Sequence, residues 1–148
     1  MVRQLPDLTG ISHALGPATD TPAHLQALTS RNKAALAAAT DHLDVAIVPQ
    51  ATATAATPVV AGHVIELLLS GEVPNALTRT ELLYFLGQVT EAAEGDINEP
   101  GVAGSRRLLP KILTVAESCE NDSRPMVSAE AADVAESAIE VMDRLGIG

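Results

Sequence analysis

The stretch TPVVAGHVIELLLSG, residues 57–71, decides the fold. Thr57 and Pro58 open it, and proline suits the first helical position because no amide is needed there. Gly71 closes it, a common stop signal. The spacing predicts a helix from about Pro58 to Ser70 that is apolar almost all round. Only Val59, His63, Glu66 and Ser70 form a partly polar stripe. A helix with no fully polar face lies at the centre of a domain. The same punctuation recurs elsewhere. Thr21-Pro22 and Ser128-Ala129-Glu130 also open apolar runs, and Gly95 and Gly146 sit just past others. No comparable stretch alternates apolar and polar residues, so the chain reads as all-α. Its helices are expected to stack as antiparallel pairs, in a solenoid or a compact helical bundle.

Outward from this core the chain divides readily. Residues 1–10 form a lead-in, and Ile11 to Leu15 read as one turn stopped by Gly16-Pro17. A short helix follows at about Pro22–Thr29. Ser30 then caps a longer one over 31–48, ended by Pro49. Residues 50–57 are almost wholly Ala and Thr, the composition of a linker or weak turn. Val73-Pro74-Asn75 turns the chain into a helix over 77–94. Gly87 inside it costs about 1 kcal/mol against Ala, which a close helix crossing would explain. An acidic loop over 95–100 leads to a helix over 102–118, where Pro110 predicts a kink or break near Arg106–Leu109. Residues 121–126 read as a loop, and the last helix as 129–145. The 148 residues make one domain, with pairs near 22–48, 58–94 and 102–145, a spacing typical of two-helix repeats.

His13-Ala14-Leu15-Gly16-Pro17-Ala18-Thr19-Asp20-Thr21-Pro22, followed by Leu25, Ala27 and Leu28, resembles the opening of a group of actinobacterial HEAT-repeat-like proteins. Residues 47–64 resemble that group's next block, where Gln50 and Thr52 match. Pro49 stands where the group has His, and Ala51 where it has Gly. Asp122, Pro125 and Val127 resemble a HEAT turn, with Ser128 in place of the usual Arg. The resemblance implies a HEAT-like α-solenoid and no catalytic residues.

Composition narrows the partners. Net charge is -10, from 19 acids against 9 bases. Phosphate backbones and anionic membrane surfaces need the opposite sign, so neither nucleic acid nor membrane is expected. A basic protein fits this balance. The only aromatic residues are Tyr84 and Phe85, too few to stack bases, and the core must be aliphatic. The longest fully apolar run, Leu67–Leu69, cannot span a bilayer, and the opening residues lack the apolar core of a signal peptide. One cysteine, Cys119, permits no internal disulfide. Cytoplasmic residence and no cofactor are the expectation.

Candidate chemistry is sparse. His63 and Glu66 share a helical face and could hold a metal only if other helices supply ligands. A solvated stripe is the stronger reading. Asp41 and Asp44 share a face, whereas His42 points elsewhere. His13 and His24 read as packing or hydrogen-bonding residues. Cys119 lies between Glu117 and Glu120, which disfavours a thiolate. Gly101 and Gly104 do not make a dinucleotide fingerprint. Arg106, Arg107 and Lys111 form a basic cluster, expected to pair with the acids of 94–99.

The strongest pointer is charge. Glu130, Asp133, Glu136, Glu140 and Asp143 form an acidic stripe on the last helix, where like charges repel. If second helices line one face of a solenoid, that face carries Asp41, Asp44, Glu81, Tyr84, Gln88, Glu91 and the stripe. The expected function is non-catalytic binding of a basic protein, as an antitoxin or immunity protein masks a basic toxin. The alternatives are a helical metal-binding protein or enzyme using His63 and Glu66, and a solenoid scaffold for assembly.

Overall fold

A computed structural model describes residues 4–147. The chain is 66% helical. Two paired dipeptides come first, β1 (Ser12–His13) and β2 (Gly16–Pro17). Six α-helices follow: α1 (Thr21–Ala27), α2 (Lys33–His42), α3 (Thr57–Ser70), α4 (Ala76–Ala92), α5 (Val102–Cys119) and α6 (Pro125–Leu145). A π-helical turn, Leu43–Ile47, prolongs α2, and a 3-10 turn, Pro49–Ala51, follows it.

The helix starts are made by side chains. Asn32 Oδ1 accepts the Ala35 amide at 3.0 Å, so Asn32, not Ser30, caps α2. Asn75 Oδ1 does the same for Thr78 at 3.0 Å and begins α4. Such caps satisfy amides that have no carbonyl within the helix. Gly71 and Gly146 end α3 and α6 with φ of 73° and 70°. The last helix begins four residues before its expected start. Pro125 serves as its first residue, and Ser128 lies within its first turn. Residues 11–15 do not make a helical turn. Gly16, at φ 126°, lets the chain double back as a hairpin instead. Pro110 does not break α5, because it lies on the exposed side, where water can reach the carbonyl one turn back.

One aliphatic core runs through the molecule, taking Leu25 of α1, Ala39 of α2 and the inner faces of α3 to α6, with Leu82, Phe85, Leu86, Leu109 and Ile112 fully buried. α1 packs on α2, and α5 on α6, as adjacent pairs. α3 and α4 touch each other less than α3 touches α5 and α4 touches α6. The close crossing is not at Gly87, whose added Cβ would meet Val134 Cγ2 at an ordinary 3.5 Å. It lies at Gly104 of α5, where a Cβ would stand 2.7 Å from the Pro58 ring of α3.

Arg79 ties the layers together. Its guanidinium donates to Asp122 Oδ2 at 3.0 Å and to the carbonyls of Val73 and Pro74 at 3.1 Å. Burial pushes the Asp122 carboxyl up, but the Arg124 amide and the Arg79 guanidinium pull it further down, below the ordinary range. A depressed carboxylate stabilises the fold above pH 4 and loses that contribution as pH falls through its lowered pKa. Asp122→Asn is expected to cost about 1 kcal/mol near neutrality. The deficit against the parent should shrink as the pH of a urea titration is lowered below 4.

Candidate functional site

The expected binding residues fall into three groups, not one face. At the first, Asp41 and the half-buried Asp44 come from the end of α2 and its π-helical turn, and Glu81 from α4. They line a hollow floored by Leu36 and Ala37, with Leu77 59% exposed at its edge. At the second, Tyr84, Gln88 and Glu91 of α4 meet Glu130 and Asp133 of α6. Gln88 Nε2 donates to the Tyr84 hydroxyl at 3.0 Å, while Gln88 Oε1 is buried without a partner. Leu77, Glu81, Tyr84, Gln88 and Glu91 recur every three or four residues, so α4 offers one ridge to both hollows.

The third group lies on the far flank of α6. Glu136 and Glu140 line a hollow with Glu117 of α5 and Glu120 just past its end, beside exposed Ile139. The pairing of Glu117 and Glu120 with α6 had no signal in the sequence, because it depends on how α5 crosses α6. Asp143 is exposed beyond both hollows, beside Arg144, which binds Glu94 through two nitrogens at 2.8 and 2.9 Å.

In the first two groups a half-buried carboxylate meets like charge, although Lys33 also lines the first hollow. Burial raises the Asp44 carboxyl, and Glu81 and Asp41 raise it further. Burial likewise raises Glu130, with Asp133 adding to it. A raised carboxyl pKa means that ionisation above pH 4 costs stability. A cation brought into the hollow would return it.

The basic cluster is differently engaged from expectation. Arg106 reaches the carbonyls of Ala93 and Gly95, at 2.7 and 2.8 Å, not the loop acids. Carbonyls at a helix end have no amide partner, and a guanidinium satisfies two at once. Lys111 lines a cleft between α3 and α5 together with His63 and Glu66. His63 is only 7% exposed, so it is part of the packed interior and not of a solvated stripe. Burial pushes the Cys119 thiol up, and Asp122 adds to this against a smaller opposing pull from Arg79.

Three of the four histidines meet at one place, which the sequence reading did not join. His13 comes from β1, His24 from α1 and His42 from the end of α2, around Asp20 at the start of α1. His13 Nε2 lies 2.8 Å from Asp20 Oδ1, and His42 Nε2 lies 2.8 Å from the fully buried Thr21 hydroxyl. His42 Nδ1 is 4.0 Å from Asp20 Oδ2. The His24 ring stacks on His42 at 4.3 Å and 19°.

Hydrogen bonding assigns the protons. The Leu15 amide donates to His13 Nδ1 at 3.1 Å, so the neutral ring carries its proton on Nε2 and donates to Asp20. The carboxylate likewise favours a proton on His42 Nδ1, leaving Nε2 to accept from Thr21. His13, Asp20 and His42 have the donor types of a metal site. Their hydrogen bonds fit one poorly. A metal on His13 Nε2 would require a proton on Nδ1, against the Leu15 amide.

No family model, curated protein or solved structure matches this chain. Among the described residues no helix is long and apolar enough to cross a membrane. Functional meaning therefore rests on the placement of side chains.

Proposed function

We propose that this protein is a non-catalytic docking module that binds a basic segment of a partner protein along the exposed ridge of α4. The supporting observation is the pairing of half-buried, mutually repelling carboxylates with exposed apolar side chains. Asp44, Glu81 and Glu130 sit beside Leu77 and Tyr84, which are 59% and 48% exposed. None of these three carboxylates has an ion-pair partner among the described residues. Lys or Arg side chains would relieve the repulsion, and the stems of such residues would cover Leu77 and Tyr84. The resemblance to HEAT-repeat-like proteins supports the same reading, since solenoids work by presenting helix faces. Masking of a basic effector, as immunity proteins and antitoxins do, is a concrete version of this role.

The test uses a lysine- and leucine-bearing amphipathic peptide as probe. Replacing Asp44→Asn, Glu81→Gln and Glu130→Gln together is expected to slow association about tenfold or more at low salt and to flatten its salt dependence. Replacing Glu136→Gln and Glu140→Gln, on the far flank, should change it little. Equal losses in both variants would reduce the effect to net charge and sink the assignment to the α4 ridge. An unchanged rate in the first variant would sink the docking reading itself.

A further inference from the structure

We infer that the histidine cluster is an acid-sensitive latch, which holds the β1–β2 hairpin and α1 on α2 at neutral pH and releases them on acidification while α3–α6 stay folded. The geometry carries this. Added protons put like charges on rings that pack directly against one another. Charging His13 puts a proton on Nδ1, where the Leu15 amide points. Charging His42 puts one on Nε2, so the fully buried Thr21 hydroxyl must turn from donor to acceptor and the charge sits on a ring only 8% exposed. His24 and His42 are stacked face to face at 4.3 Å, so two charged rings would repel directly. His13 also meets the edge of His42, with ring centres 5.2 Å apart.

The charges around His42 do not compensate. Asp20, just before α1, is the nearest carboxylate, and Asp41 of α2 adds a weaker favourable field. Asp44, on the π-helical turn, faces Glu81 and Asp41 instead. Burial pushes the His42 imidazole below its ordinary value of 6.5, with His24 adding to the shift and Asp20 opposing it. A histidine depressed in the folded state stabilises it fully above 6.5 and loses that contribution as pH falls below. The segment is placed to come away as a unit. α1 packs chiefly on α2, and the hairpin is tied to the π-helical turn by the Ala14 amide on the Ala46 carbonyl at 2.8 Å.

Amide hydrogen exchange from about pH 7.5 to about pH 5, corrected for the intrinsic rate, tests the latch. Protection of residues 12–28 is expected to fall about tenfold per pH unit for each proton taken up, while residues 33–47 and 57–145 keep theirs. His42→Gln retains a neutral partner for Thr21 and should flatten that slope. Should this variant be loose at every pH, His24→Phe keeps the stack without the charge and should move the release to lower pH. Protection of 12–28 that is flat across the range would overturn the latch. So would its loss in step with 57–145, or one zinc per chain bound at neutral pH through His13 and His42.

Discussion

Gly101→Ala is expected to cost about 3 kcal/mol or more, a large part of what holds a domain of this size together. Gly101 stands immediately before α5 with φ 86°, a conformation that L-residues rarely adopt. An added Cβ would lie 2.0 Å from the Thr54 carbonyl oxygen and 2.8 Å from its carbon. Thr54 cannot step aside. Its carbonyl accepts the Thr57 amide at 3.0 Å, its amide donates to the Thr57 hydroxyl at 2.7 Å, and its own hydroxyl donates to Ile47 at 2.9 Å. Gly71→Ala is the control. Gly71 has φ 73° but nothing within 4 Å of the new Cβ, so only the backbone term of about 1 kcal/mol applies. The difference between the two in urea denaturation isolates the clash. A Gly101→Ala loss no larger than that of Gly71→Ala would show that the 50–57 segment yields freely.

Phe85→Ala should be comparably severe, at about 3–5 kcal/mol. Phe85 is fully buried in the shared core, and the chain has no other phenylalanine and no tryptophan to fill the void. Aliphatic neighbours in staggered rotamers close a ring-sized cavity only in part. Phe85→Leu should lose only about 1–1.5 kcal/mol. Tyr84→Ala, one residue earlier on the exposed ridge, should leave stability nearly unchanged, within about 0.5 kcal/mol. Equal losses at 84 and 85 in chemical denaturation would contradict the assignment of which α4 face is inside.

The bodies of the helices were readable from residue types, because burial enforces the 3.6-residue period. Leu82, Phe85, Leu86 and Val89 follow that period along α4, and all are buried. The ends were less readable where two residues compete to start a helix. Ser30 and Asn32 both can cap, and the choice follows which side chain reaches the free amide. Ser128 looked like a start, yet Pro125 already sits in helical geometry. Faces were harder still. Glu130 and Glu136 belong to one stripe on α6, but α4 takes one side of it and α5 the other. The histidine cluster joins residues 13, 24 and 42 from three elements. No spacing along the chain encodes that meeting, which depends on α1 folding back over α2.

The Ile47 carbonyl, held by the Thr57 hydroxyl at 2.6 Å and the Thr54 hydroxyl at 2.9 Å, changes how this protein should be engineered. The Ala/Thr tract looks like an inviting seam for a protease site, a fluorescent insertion or new termini in a permuted chain. It is instead a strut, wedged between the π-helical turn and the α5 entry. A cut there would sever the clasp that joins the amino-terminal third to the rest. The acidic loop over 95–100, exposed throughout, is where such surgery can be done.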